Sequence, residues 1–172
     1  ANARLGLTTH LIGGTKGSHL VVDSKELHTA IGDRMVYYEH RDGRVCITFT
    51  FMGKVIMGST DIRVDDPEAA ACDADEVRYM IESLAGVFPG VRVVPEQIVY
   101  KFCGVRPLPA SAEETTGKIS RGHMIELAEP DTGRPFPVAS LVGGKWTTFR
   151  ALAEQTADRV LPRIGAARKG TT

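Results

Sequence analysis

Three β-rich runs, Met35 to Glu39, Arg44 to Phe51 and Val55 to Ile62, follow one another with only Arg41-Asp42-Gly43 and Met52-Gly53-Lys54 as turn chemistry between them. Turns this short join antiparallel neighbours, because a parallel return needs a dozen or more residues of crossover. The spacing therefore predicts an antiparallel meander, with a further strand ahead of it at His19 to Val22. Then the period changes. Asp73 followed by Glu76 reads as a capping box, and Val77, Met80, Ile81, Leu84 and Phe88 recur at helical spacing until Pro89. Gln97 to Cys103, His123 to Leu127 and Pro137 to Val142 read as more strands. Trp146, Phe149, Leu152, Ala153, Thr156, Ala157, Val160 and Leu161 trace one face of a second helix that ends near Pro162. The expected class is α+β: a mostly antiparallel sheet with two main helices.

The chain has 172 residues, the size of one ordinary domain, and no linker rich in Pro, Gly or Ser divides it. We take residues 1–172 as a single domain, with residues 1–3 an appended scar, residues 166–172 a frayed tail, and Pro109 to Lys118 the one loose stretch. Twenty-one basic residues balance twenty-one acidic ones, so no global field draws the chain to nucleic acid or to an anionic membrane. Cys46, Cys72 and Cys103 are odd in number and form no CxxC pair. That pattern points to a reducing compartment and small buried thiols, with no metal site and no disulfide. No apolar run approaches the roughly twenty residues of a membrane span, and no secretory apolar segment opens the chain. The location expected is cytoplasmic, with peripheral docking on a membrane through other parts of the protein left open.

The stretch Leu141 to Arg150, LVGGKWTTFR, leads from the apolar strand through Gly143-Gly144 into the helix expected to begin near Lys145. Unpaired amides and the positive end of a helix dipole suit an anion or an electron-rich carbonyl there, and glycines allow close approach. A nucleotide P-loop is excluded, because that motif needs Gly at position 139 and Ser or Thr at 146, where the chain has Ala139 and Trp146. A lone Gly-Gly-Lys is more often only a tight turn with a solvated lysine. Gly104-Val105-Arg106-Pro107 closes a strand with one arginine and Ser120-Arg121 opens the next with another; arginine is the residue for bidentate recognition of phosphate or carboxylate. Lys16-Gly17-Ser18-His19 places a lysine and an imidazole where a loop becomes a strand. His19 there is a general base, a ligand contact or a satisfied structural histidine.

Taken in order, KGSH, GSTD (Gly58 to Asp61), GVRP (Gly104 to Pro107), SRG (Ser120 to Gly122) and GGKWTTFR resemble the FAD-dependent glycerol-3-phosphate dehydrogenases. The likeness runs from Lys16 to the final helix and matches the later part of those enzymes. Their N-terminal GxGxxG fingerprint has no counterpart, since no glycine cluster here follows a strand and opens a helix. The resemblance implies a fragment of a larger flavoenzyme, lacking the N-terminal FAD-binding segment and inactive alone, whose fold is that of the substrate domain of D-amino-acid-oxidase-like flavoproteins.

The activity it implies is oxidation of sn-glycerol 3-phosphate to dihydroxyacetone phosphate, with hydride passing to FAD and electrons onward to quinone. By the same resemblance Arg106 and Arg121 bind the phosphate, Lys145 lies near substrate and flavin, and Ser59 and His19 meet the substrate hydroxyls. His19 is the residue assigned to take the O2 proton. Gly143, Gly144, Lys145, Trp146 and Thr147 form the cofactor-binding turn, whose helix dipole faces the flavin pyrimidine edge. Two departures, Thr50-Phe51 for the family's Pro-Trp and Gly122 for the aspartate of its ITRD motif, leave the polyol open. A related flavoprotein oxidase or dehydrogenase for another polyol phosphate stays in view, as does a non-catalytic phosphate-binding module.

Overall fold

The computed structural model describes residues 2–113 and 116–170; residues 1 and 171–172 of the proposed scar and tail, and 114–115 of the loose stretch, lie outside the described residues. Among the described residues the elements run β1 (Ile12–Val22), α1 (Lys25–Ile31), β2 (Met35–Glu39), β3 (Val45–Phe51), β4 (Lys54–Gly58), β5 (Ile62–Val64), α2 (Ala74–Val87), β6 (Ile98–Pro109), β7 (His123–Ala128), β8 (Val138–Gly143) and α3 (Phe149–Val160). The sequence suggests one domain, whereas the structure divides into two compact units, Thr15–Arg106 and Ala1–Gly14 with Pro107–Thr172. Both boundaries fall inside long strands, β1 and β6, so no linker composition marks them.

In the unit Thr15–Arg106 the sheet order is β2-β3-β4-β1-β5, and β6 also pairs with β1. The meander is β2-β3-β4, antiparallel at each step. Met52 and Gly53 both have positive φ, 48° and 73°, as a two-residue hairpin closing Phe51 against Lys54 requires. The run expected from Val55 to Ile62 is broken: β4 stops at Gly58, and Ser59, Thr60 and Asp61 leave the ladder before β5 starts at Ile62.

Helix α2 has the predicted capping box, with the Glu76 amide donating to Asp73 Oδ1 at 2.9 Å and the Asp73 amide donating to Glu76 Oε2 at 3.0 Å. Its apolar stripe buries Met80 and Leu84 against Leu20 and Val22 of β1 and Val55 and Met57 of β4. A third helix, α1, is missing from the sequence reading. It is capped by the Ser24 hydroxyl, which accepts from the Leu27 amide at 3.2 Å, and it buries Leu27 and Ile31 completely in the same core. Cys46 and Cys72 are buried free thiols and Cys103 is half-buried; burial pushes the thiols of Cys46 and Cys72 up.

In the other unit β7 and β8 form an antiparallel hairpin, from His123 opposite Gly143 to Ala128 opposite Val138. Arg159 of α3 donates to the Ile125 carbonyl of β7 at 2.7 Å. Asn2–Leu5 form a short 3-10 turn, and the Asn2 amide group donates to Thr9 Oγ1 at 2.8 Å and to Ser140 Oγ at 2.9 Å.

Candidate functional site

Strand β1 separates two chemistries by its period of two. Lys16 and Ser18 point to one face, where both reach Glu76 at the start of α2: the Lys16 ammonium lies 2.8 Å from Oε2, and the Ser18 hydroxyl donates to Oε1 at 2.8 Å. Gly17 and His19 point to the other face, toward Arg106 and Phe102. Lys16 thus lies within a strand and is buried against a carboxylate, where the sequence placed it at a loop's end. Burial pulls Lys16 toward its neutral form, but its bonds to Glu76 and Asp73 outweigh that and raise its pKa. Burial likewise raises Glu76, and the hydrogen bonds from Lys16, Thr60, Asp73 and Ser18 overcome it, holding the carboxyl below its ordinary value.

The GSTD segment leaves the sheet at a cis Gly58–Ser59 peptide. Thr60 ties it to the buried cluster: its hydroxyl donates to Glu76 Oε1 at 2.6 Å and accepts from the Ser18 amide at 2.9 Å. On the opposite side the segment holds Arg106 from GVRP. Arg106 Nη1 donates to Asp61 Oδ1 at 3.1 Å, Nη2 donates to Ser59 Oγ at 3.2 Å, and both point at the Thr60 carbonyl at 3.4 Å. The guanidinium presses on the backbone of Gly17 so closely that a Cβ there would stand 2.2 Å from Nη2. Gly58, opposite His19 across the ladder, is required in the same way, since a Cβ would stand 2.4 Å from the imidazole Cδ2.

The structure therefore brings His19, Ser59 and Arg106 together in the unit Thr15–Arg106. The imidazole stacks on Phe102 at 5.1 Å with a 9° tilt. Burial, and after it the positive charge of Arg106, hold His19 below its ordinary pKa, so the ring is neutral at neutral pH and able to accept a proton. Sequence reasoning missed Asp61, which anchors the arginine, and gave Glu76 only its capping role. The one signal for Asp61 was its place beside Ser59 in GSTD.

Arg121, Gly143, Gly144, Lys145, Trp146 and Thr147 belong to the other unit. There the SRG and GGK motifs meet: the Gly144 amide donates to the Gly122 carbonyl at 3.3 Å, and a Cβ on Gly143 would stand 2.5 Å from that same oxygen. Gly143 and Gly144 have φ of 71° and 99°, the left-handed backbone that glycine tolerates. Arg121 is exposed on the same segment. The helical backbone begins at Trp146, with Lys145 as its cap, next to where the sequence places it. Residues Trp146–Thr148 form a 3-10 turn that runs directly into α3 at Phe149, and the Thr148 hydroxyl accepts from the Lys145 amide at 3.1 Å, as the third residue of a helical N-terminus does for its cap. The amides are thus partly satisfied within the chain. Nor do Trp146 and Phe149 extend a buried face; they are 91% and 59% exposed, 6.1 Å apart. Lys145, Trp146 and Thr147 are all exposed. The exposed Lys145 ammonium, with the Trp146 and Thr147 amides of the first helical turn beside it, would fit the electron-rich edge of a flavin ring.

The chain is similar to a glycerol-3-phosphate dehydrogenase of Synechocystis sp., 32% identical over 154 residues, which cover 89% of this chain and 27% of that protein. It is also 30% identical over 151 residues to an aerobic glycerol-3-phosphate dehydrogenase of Staphylococcus aureus, covering 87% of this chain and 26% of the relative. It thus spans about a quarter of the length of these curated relatives. Among solved structures, a glycerol-3-phosphate dehydrogenase from Bacillus halodurans complexed with FAD matches with a TM-score of 0.72 and 26% identity, over 94% of this chain and 29% of that one. The family model described as "DAO: FAD dependent oxidoreductase" matches residues 1–166. With the antiparallel sheet and the His19–Ser59–Arg106 cluster beside that match, the chain belongs to the DAO family of FAD-dependent oxidoreductases.

Proposed function

We propose that this chain is the substrate-binding and catalytic part of an FAD-dependent dehydrogenase that oxidises sn-glycerol 3-phosphate to dihydroxyacetone phosphate. One observation carries the reading: a guanidinium fixed by Asp61, Ser59 and the Thr60 carbonyl lies beside a neutral, stacked imidazole. Arg106 binds the phosphate monoester, for which a planar fork of donors is suited. Ser59 orients a substrate hydroxyl, and neutral His19 takes the O2 proton as C2 is oxidised. Arg121 is assigned to the phosphate by its SRG motif, and Lys145 to the substrate and flavin by GGK. Gly143, Gly144, Lys145, Trp146 and Thr147 would hold FAD, and the bound cofactor supplies the hydride acceptor.

The five ordered motifs support quinone as the onward electron acceptor, and with it a cytoplasmic enzyme that works peripherally at the membrane. The test is turnover of the full-length protein on a small panel of polyol phosphates with a quinone analogue. Reduction of the analogue that depends on sn-glycerol 3-phosphate is expected. Arg106→Ala should cost about 2–4 kcal/mol in kcat/KM, roughly 30- to 1,000-fold. No turnover on any polyol phosphate, or unchanged kinetics in Arg106→Ala, would refute the reading.

A further inference from the structure

We propose that Asp61 is a positioning residue for the substrate phosphate: it acts through Arg106, fixing the guanidinium over Gly17 before any ligand arrives. The proposal rests on the reading of Arg106 as a phosphate contact. An arginine side chain has many rotamers to lose, so one that must meet a phosphate gains from being held in advance. Three observations show how it is held. Asp61 is only 7% exposed and lies 3.1 Å from Nη1, while the arginine itself is 24% exposed, so the pair sits where solvent screens it little. Nη1 and Nη2 share the Thr60 carbonyl, and Nη2 reaches Ser59 Oγ, which fixes the plane of the fork as well as its place. Gly17 leaves the space the plane fills, since a Cβ would stand 2.2 to 2.5 Å from three guanidinium atoms.

The carboxylate also works against simple attraction. Its negative charge offsets that of Arg106 and opposes an incoming dianion, so a residue selected only for charge would not be acidic. What Asp61 contributes is direction. An asparagine keeps an oxygen acceptor for Nη1 and removes the opposing charge; an alanine removes both. Likewise Gly17→Ala leaves every charge in place and displaces only the guanidinium, the mobile end of a flexible side chain, by the ångström or so needed to relieve the overlap. Displacements of about 1 Å in a positioned group cost up to roughly 100-fold.

The experiment uses the full-length, FAD-loaded protein and reads KM for sn-glycerol 3-phosphate and the competitive inhibition constant of inorganic phosphate, each normalised to bound flavin. Asp61→Ala and Gly17→Ala should each raise both constants roughly 10- to 100-fold, and Asp61→Asn should restore most of the loss. In an Arg106→Ala background, Asp61→Ala should add nothing, as expected when one residue acts only through another. A purely structural role would lower flavin content and stability while leaving the phosphate constant of the folded enzyme unmoved. The proposal is overturned if Arg106→Ala raises both constants but Asp61→Ala does not, or if the effects of the two multiply in the double variant. If Arg106→Ala itself changes neither constant, the assignment of Arg106 falls, and this proposal with it.

Discussion

Replacing Glu76 with alanine tests how firmly the GSTD segment is anchored from behind. The carboxylate accepts from the Lys16 ammonium at 2.8 Å, the Asp73 amide at 3.0 Å, the Ser18 hydroxyl at 2.8 Å and the Thr60 hydroxyl at 2.6 Å. Removing it leaves a lysine only 9% exposed without its closest counter-charge. Breaking a buried pair from one side costs about 3–5 kcal/mol. Lys16 keeps the Ala71 carbonyl at 2.7 Å and the half-exposed Asp73 at 3.4 Å, which places the loss near the lower end, at about 3 kcal/mol. The paired replacement Lys16→Met with Glu76→Leu leaves no charge behind and should recover a large part of it, short of the acceptor lost to Ser18 and Thr60. Urea unfolding of the purified chain at pH 7, followed by far-ultraviolet circular dichroism, measures each value. A loss under about 1 kcal/mol for Glu76→Ala would refute the reasoning, because it would mean the ion pair adds no more than a surface pair does.

The same residue sets an acid limit. Because the folded Glu76 carboxyl is held below its ordinary 4.5, the unfolded state takes up the proton first as pH falls. Its contribution is complete above the unfolded value and disappears as pH drops through the folded one. Glu76→Gln should remove that part of the acid dependence.

For His19, the Arg106 charge helps hold the pKa down; Arg106→Ala should move the acid limb of the kcat/KM profile to higher pH, and an unmoved limb would sever the link between the two. At Gly143, φ of 71° and a Cβ position 2.5 Å from a backbone oxygen leave a side chain nowhere to go. Gly143→Ala should cost about 1–3 kcal/mol in thermal unfolding, and a change within about 0.5 kcal/mol would contradict the close packing of the GGK turn on Gly122.

Local pattern made part of this molecule legible. Strand β2 and the capped helix α2 announce themselves through alternation, a capping box and a terminal proline, all signals that lie within a few residues. Helix α1 escaped because seven residues give only Ser24, Leu27 and Ile31 as evidence. The 3-10 opening of α3 escaped for a different reason: a single 3-10 turn and the first turn of an α-helix present the same residue pattern. The motifs found His19, Ser59 and Arg106, but the partners that arrange them are distant in sequence. Asp61 and Arg106 are 45 positions apart, and Ser18 and Glu76 are 58 apart. Such pairings follow from strand register, and register is decided by the whole sheet.

The alternation along β1 makes that strand intolerant of changes in length in a way it is not of changes in residue. A single insertion or deletion between His19 and Leu20 would exchange the two sides of the residues before it. Lys16 and Ser18 would turn toward Arg106, adding like charge where an acceptor is needed. His19 would turn inward onto α2, and the space kept clear by Gly17 would be filled. The spacing of KGSH from the apolar Leu20-Val21-Val22 that locks the strand into the core is therefore itself a functional element. It is a reading frame for side chains, preserved by counting residues rather than by their identity.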